Sequence, residues 1–141
     1  MADSFINRYN SFCKSLAGLK EAKHRDPSDD FVLSGTIQKY NLTFDISWKV
    51  MKDIIVKYHG ILDFATGSPR EVLRKAYMLG LIEADTWMDM LNDRNELAHD
   101  YDGTLATSCF DIIICQYIDE FEKFKNKAEP ILRQMENEKE L

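Results

Sequence analysis

The stretch DDFVLSGTIQKYNLTFDISWKVMKDIIVKYH, from Asp29 to His59, decides the fold. Within and just beyond it, apolar residues recur every seven positions and again four positions later, at Ile37, Phe44, Trp48, Met51, Ile55, Tyr58 and Leu62. That spacing predicts one long helix, over about 29–59, packed nearly antiparallel against its neighbours. Charged residues at i,i+4 spacing predict a solvated opposite side, at Asp45, Lys49, Asp53 and Lys57.

Four further helices follow from the same periodicity, and no strand is predicted. Ser28, followed by two acidic residues, predicts the N-cap of the long helix. The sequence Ser68-Pro69-Arg70-Glu71 predicts a capping box with proline in the first helical position. Pro130 predicts a break or kink, and the tail 136–141 is charged and expected to fray. The predicted helices cover about 3–24, 29–59, 69–79, 84–100 and 104–127. The fold class is therefore an all-α, up-and-down antiparallel bundle of four to five helices.

Composition narrows the class of protein. A chain of 141 residues is expected to form a single domain over 1–141. Three cysteines without ligand spacing favour reduced thiols in the cytoplasm, and no apolar run is long enough to predict a membrane span. The net charge of −6 disfavours a general nucleic-acid binder, because phosphate neutralisation supplies most of such affinity. Any RNA chemistry must depend on a local basic surface.

The run RNELAHDY, residues 94–101, carries the strongest functional signal. On a helical wheel, Arg94 falls inside an apolar stripe, where a permanent charge is costly unless it is paired or borders a cleft or interface. Asn95 and His99 share the adjoining flank. Imidazole can transfer protons near neutral pH, and guanidinium matches phosphate oxygens, so the run suggests phosphodiester chemistry. An equally weighted alternative is a structural ion pair, with candidate partners Asp93, Glu96 and Asp100.

Metal binding is a weaker alternative for this region. Several possible ligands crowd one stretch, namely Asp89, Asp93, His99, Asp100 and Asp102. They do not fit a calcium-loop spacing, and no second histidine lies at ligand distance in the sequence. We therefore expect neither a metal nor a cofactor. Basic residues on the first and third predicted helices could steer a polyanion, if the fold brings them next to the run; they are Lys14, Lys20, Lys23, Arg25, Arg70, Arg74 and Lys75.

With these residues in view, the chain resembles HEPN-domain proteins, and especially the branch called nucleotidyltransferase substrate-binding proteins. The family mark is an arginine, a polar residue and a histidine four to six positions on, which corresponds here to Arg94, Asn95 and His99. The toxin branch adds a tyrosine two residues after the histidine, which corresponds to Tyr101. Further segments resemble the branch's signatures over about residues 5–125: GTIQKY at 35–40, FDISWK at 44–49, SPRE at 68–71 and GLI at 80–82 leading into WMDML at 87–91.

The resemblance implies a homodimer in which two such motifs face one cleft, and metal-independent RNA cleavage that leaves a 2′,3′-cyclic phosphate. It gives His99 proton transfer, Arg94 charge stabilisation and Asn95 an orienting role. It also implies a minimal (MNT-type) nucleotidyltransferase partner that neutralises the toxin by transferring AMP onto Tyr101. The alternative is a non-catalytic substrate-binding subunit of a two-component nucleotidyltransferase, and a third reading is a plain helical interaction module. An Arg94 that is neutralised within one protomer would count against the ribonuclease.

Overall fold

The computed structural model describes residues 4–100 and 103–140, and this part of the chain folds into helices and turns without a strand. The α-helices are α1 (Ser4–Lys20), α2 (Asp30–Asp53), α3 (Pro69–Met78), α4 (Thr86–Leu97), α5 (Thr104–Ile112) and α6 (Ile118–Glu140). Turns of 3₁₀-helix at Glu21–His24 and Leu62–Thr66 flank the long helix, and π-helical turns at Ile54–Tyr58 and Ile113–Tyr117 extend α2 and join α5 to α6. The π-helical turn at Ile113–Tyr117 joins α5 and α6 into one continuous helix, so the six α-helices form a bundle of five. The predicted all-α helical bundle is confirmed.

Local capping chemistry sets where the helices begin. The Ser68 hydroxyl accepts a hydrogen bond from the Glu71 amide, and the Glu71 carboxylate accepts one from the Ser68 amide. The predicted capping box is thus present. The predicted N-cap of α2 is wrong by one residue: the Asp29 carboxylate accepts from the Phe31 amide, while Ser28 donates to Asp26 instead. A carboxylate also suits the positive end of the helix dipole better than a hydroxyl.

The long helix α2 is the centre of the bundle and contacts α1, α3, α4 and α5. Four of the predicted apolar positions, Ile37, Phe44, Met51 and Ile55, are buried, while Trp48 is only partly buried. The seam ends earlier than predicted, since Tyr58, at the end of the π-helical turn, and Leu62, in the 3₁₀ turn that follows, are exposed. Aromatic rings fill the space between α2, α4 and α6: Trp87 lies 6.1 Å from Phe44, 5.5 Å from Phe121 and 6.0 Å from Phe124, centroid to centroid. Each such pair adds roughly 0.5–1.5 kcal/mol beyond the burial of its area.

The prediction that one side of α2 is simply solvated is wrong for its two aspartates. Asp53 Oδ1 accepts from Arg8 Nη1 of α1 at 2.8 Å. Burial raises the pKa of the Asp53 carboxyl, although the Arg8 guanidinium acts in the opposite direction. Asp45 also pairs with another helix, as described below. The two lysines of the series, Lys49 and Lys57, are exposed as predicted.

Of the break or kink predicted at Pro130, the break is absent, because α6 continues through Pro130 to Glu140. A proline removes one backbone donor and leaves the carbonyl four residues earlier without its helical partner. Both Pro130 and Asn126 are exposed, so water can hydrate that carbonyl. Buried Ala128, Leu132 and Met135 meanwhile hold the helix against the core. The tail is accordingly helical rather than frayed as far as Glu140.

Within the described residues, none of the helices combines the length and apolar character needed to cross a membrane.

Candidate functional site

Helix α4 carries most of the motif and places its residues on two faces. Trp87, Met90, Leu91 and Leu97 are buried against the bundle. Asn95 and His99 are exposed, with His99 in the turn that follows the last residue of α4. Ala98 is exposed as well. Tyr101 and Asp102 lie outside the described residues.

Arg94 lies at the border between these two faces, and its guanidinium is paired with Asp45 of α2. Nε donates to Asp45 Oδ1 at 2.9 Å, and Nη2 donates to Oδ2 at 2.7 Å. The two side chains are 30% and 31% exposed, so the pair is half-buried. The hydrogen bonds and charge of Asp45 raise the pKa of Arg94, while burial opposes this shift. One edge of the guanidinium is therefore already bound by a carboxylate of the same chain.

The partner of Arg94 differs from the three candidates that the local sequence offered. Asp93 accepts a hydrogen bond from the Tyr117 hydroxyl. Asp100 accepts from the backbone amides of Leu105 and Ala106, at 3.2 and 2.8 Å, and so caps the start of α5. Glu96 is exposed on the outer face of α4. Asp45 was missed because it lies 49 residues away and its i,i+4 spacing to lysines suggested a solvent-facing role.

Two tyrosines hold the inner face of α4 in place. The buried Tyr40 hydroxyl donates to the Met90 carbonyl at 2.7 Å, and its ring stacks on Tyr117 at 5.6 Å. Burial is the main cause that raises the pKa of Tyr117 well above its ordinary value, and the hydrogen bond to Asp93 adds to it. Tyr117 is the last residue of the π-helical turn between α5 and α6. Single π-helical turns are frequent at functional sites. The hydroxyls of Tyr40 and Tyr117 therefore stay protonated and donate hydrogen bonds that hold the inner face of α4.

An open groove of about 710 Å³ lies between the start of α2, the end of α4 and the start of α5. Its lining combines carboxylates, neutral polar groups and apolar side chains, with no lysine or arginine among the described residues. The lining residues are Asp30, Leu33, Ser34, Ile37, Gln38, Asn41, Leu97, Ala98, Asp100, Gly103, Ala106 and Thr107. The Asn41 Oδ1 atom is buried and has no hydrogen-bond partner. The groove can therefore accept hydrogen bonds but offers no cation to a phosphate.

The basic residues of α1 and α3 differ in how they relate to the motif. Lys20 of α1 pairs with Glu122 of α6. Arg70 of α3 instead donates to Asn92 Oδ1 of α4 at 3.4 Å, one turn before Asn95. The structure therefore brings the basic surface of α3 next to α4. Across 4–100 and 103–140, no group of three or more histidine, cysteine or acidic side chains is arranged to hold a metal ion.

The fold and groove define a small helical bundle with a polar cleft beside the end of α4. The chain matches the family model described as "Nucleotidyltransferase substrate binding protein like" over residues 7–130. This match spans most of the chain, and the protein therefore belongs to that family. The resemblance inferred from the motifs is confirmed, and with it an association with nucleotidyltransferases. A comparison with curated proteins finds no match.

Proposed function

We propose that this chain is the non-catalytic substrate-binding subunit of a two-component nucleotidyltransferase. In this role the bundle docks beside a minimal nucleotidyltransferase and presents an acceptor substrate held in the groove between α2, α4 and α5. The observation that carries the proposal is the bidentate pair between Arg94 and Asp45. The guanidinium edge that would best bind a phosphate is already occupied by a carboxylate of the same protomer. Family membership supports the same reading.

The chemistry of the groove favours an acceptor without phosphate groups. Asp30 and Asp100 contribute negative charge, and the neutral groups Ser34, Gln38 and Asn41 offer hydrogen bonds. A polyanion such as RNA would meet these carboxylates without a compensating cation from the described lining, which costs affinity. A polyhydroxylated or amine-bearing small molecule would be accommodated. The apolar floor from Leu33, Ile37 and Leu97 would pack against its ring or chain.

The test combines the purified chain with a minimal nucleotidyltransferase encoded by an adjacent gene. Pyrophosphate release from ATP is measured with a small-molecule extract as the acceptor source. We expect release to require both proteins. Gln38→Leu, on the exposed wall of the groove, should lower the apparent affinity for acceptor without loss of complex formation. Leu62→Ser, an exposed change outside the groove, serves as the control. Equal release by the nucleotidyltransferase alone would contradict the proposal.

The second candidate is the HEPN-type ribonuclease, and the exposed flank of α4 is what favours it. Asn95 and His99 lie together in solvent at the end of α4, where a second copy could bring a matching pair. In that reading His99 moves the proton, Arg94 stabilises charge, Asn95 orients the phosphate, and the partner adenylylates Tyr101. Such a site would need the Asp45 carboxylate to release Arg94 or to share it with RNA.

Expression of the chain alone separates the two candidates. The ribonuclease predicts growth arrest and RNA degradation, both lost in His99→Ala and in Arg94→Ala. The substrate-binding subunit predicts intact RNA in the parent and in both variants. For Tyr101, intact mass after incubation with the partner and ATP reports an AMP adduct, and Tyr101→Phe should abolish it if that hydroxyl is the acceptor. We expect intact RNA and no adduct.

A further inference from the structure

Asn41 carries a buried polar atom that the packing of the bundle does not use. Its Oδ1 atom accepts no hydrogen bond from the described residues, although the side chain as a whole is partly exposed and lines the groove between α2, α4 and α5. A buried acceptor without a partner destabilises the folded chain, because it has lost its hydrogen bonds to water and gained none. A molecule bound in the groove can supply the missing donor.

The Asn41 amide needs only a rotation to meet such a molecule. The terminal torsion of an asparagine side chain is broad, so its rotation is easy. No hydrogen bond holds Oδ1 in place, and turning it into the groove breaks none at that atom. The groove has a volume of about 710 Å³, which is within the range of small-molecule sites. A hydroxyl group of a bound molecule can then donate to Oδ1.

The walls of the groove beside Asn41 are held together before anything binds. Asn41 lies one helical turn before Asp45 on α2, and Leu97 lies three residues after Arg94 on α4. Both Asn41 and Leu97 line the groove. The two hydrogen bonds between Arg94 and Asp45 therefore tie together the helices that form its walls. A site that is already formed loses less freedom when its ligand binds.

The other polar groups of the lining match hydroxyl groups better than amines or phosphates. Ser34 and Gln38 are exposed and can both donate and accept, as a hydroxyl does, whereas an ammonium group only donates. Both oxygens of Asp100 already accept from backbone amides, so this carboxylate is less available to a cation. Asp30 is exposed, and solvent screens its charge. A phosphate would find no lysine or arginine in the described lining.

We propose that Asn41 selects the acceptor, and that this acceptor is a neutral polyhydroxylated molecule of about the size of a sugar, one of whose hydroxyl groups donates to Oδ1. This inference rests on the proposed function, in which the groove holds the acceptor. It adds the chemical class of the acceptor and the residue that recognises it. It also accounts for an asparagine where a leucine of similar shape would leave no polar atom unpaired.

The first measurement is the stability of the full chain without any added ligand. Asn41→Leu removes the unpaired oxygen, and we expect the melting temperature to rise by roughly 2–8 °C. Leucine also favours a helix more than asparagine does, so Asn10→Leu, at an exposed position of α1, measures that gain alone. The rise at Asn41 should exceed the rise at Asn10. An equal rise, or a fall, would mean that Oδ1 costs nothing in the empty groove and would overturn the inference.

The second measurement is binding, by calorimetry with the same purified proteins. The neutral probes are glucose, ribose and myo-inositol, each at millimolar concentration. Their monophosphates and glucosamine are the charged probes. We expect the parent to bind at least one neutral probe more tightly than any charged one. Asn41→Leu should raise its Kd at least tenfold, and Asn10→Leu should leave it unchanged. A merely structural asparagine would not combine a more stable chain with weaker binding.

The remaining outcomes separate this inference from the proposed function. Equal binding by Asn41→Leu, preference for a charged probe, or no binding of the neutral probes by the parent would each overturn the inference. The proposed function would still stand if pyrophosphate release with the small-molecule extract requires both proteins. If a neutral probe binds through Asn41 but release does not require this chain, the groove is a polyol site and the role as a subunit fails.

Discussion

The ion pair between Arg94 and Asp45 yields a quantitative prediction, because both readings of the motif depend on it. We consider Asp45→Asn, which keeps the shape and removes the charge, and Arg94→Met, which keeps length and helix propensity. Measured together as a double-mutant cycle, the two changes isolate the interaction between the two side chains. Each single change also alters the solvation of the partner left behind, so the measured coupling includes that effect together with the direct attraction.

The magnitude follows from the geometry and the exposure. A fully exposed pair contributes about 0.2–1 kcal/mol, while breaking a fully buried one costs about 3–5 kcal/mol. This pair has two short hydrogen bonds, but each side chain is about 30% exposed, so solvent screens part of the attraction. We expect a coupling of about 1–2 kcal/mol, which corresponds to roughly 2–8 °C in melting temperature for a domain of this size.

Urea unfolding is the assay, because urea adds no ions that would screen the pair. The cycle is measured at low salt and again in 1 M NaCl, where the Debye length falls to about 3 Å. We expect the coupling to shrink with salt and to remain above zero, since the hydrogen bonds are partly shielded. As a control, Arg8→Met is combined with Asp45→Asn. Arg8 pairs with Asp53, two helical turns further along α2, so these changes should be additive within about 0.5 kcal/mol.

A coupling indistinguishable from the control would refute the reasoning. Arg94 would then be free in solution, its guanidinium would be available to phosphate, and the ribonuclease candidate would regain its main requirement. A coupling of the expected size leaves a charge that RNA could use only by displacing Asp45. The experiment therefore bears on function although it measures stability alone.

Three further predictions concern the framework. Tyr40→Phe removes the donor to the Met90 carbonyl and should lower the unfolding free energy by about 1–2 kcal/mol in urea. Ser68→Ala removes the capping box and should cost about 1 kcal/mol by the same measurement, with Ser68→Thr as a near-neutral control. Because burial raises the pKa of Asp53 in the folded state, ionisation of Asp53 lowers stability as pH rises through that folded pKa. Arg8→Ala should therefore cost most at neutral pH and less once Asp53 is protonated, and a pH-independent cost would contradict this.

The sequence contains enough local information to predict the helices and several of their ends. Heptad spacing on α2 and the capping box at Ser68 are short-range signals, and the chain obeys them. The errors fall where tertiary context competes with local rules. Pro130 lies on the solvent side of a helix whose opposite face is buried, so packing outweighs one lost hydrogen bond. The spacing of apolar residues already indicated that Pro130 faces solvent. It did not indicate whether packing of the opposite face would outweigh the hydrogen bond that the proline removes.

The contacts of the motif residues were less predictable from the sequence than the helix that carries them. The wheel placed Arg94 inside the buried stripe, whereas the structure places it half-buried at the border, and the physical argument that such a charge needs a partner holds. Which carboxylate supplies it depends on how α2 packs on α4, and i,i+4 spacing on α2 gave the opposite expectation for Asp45. Long-range pairs of this kind leave little trace in a single sequence, because either charge alone is equally compatible with solvent.

The contacts around α4 divide the motif into a fixed side and a free side. Tyr40, Tyr117 and Asp45 hold its inner side through the Met90 carbonyl, Asp93 and Arg94. The outer side, with Asn95 and His99, faces solvent. A helix held on one side by α2 and by the π-helical turn keeps a fixed geometry, whereas its exposed flank is open to another molecule. This division is what the proposed substrate-binding role needs: a rigid edge against which a partner aligns, with the chemistry supplied by that partner.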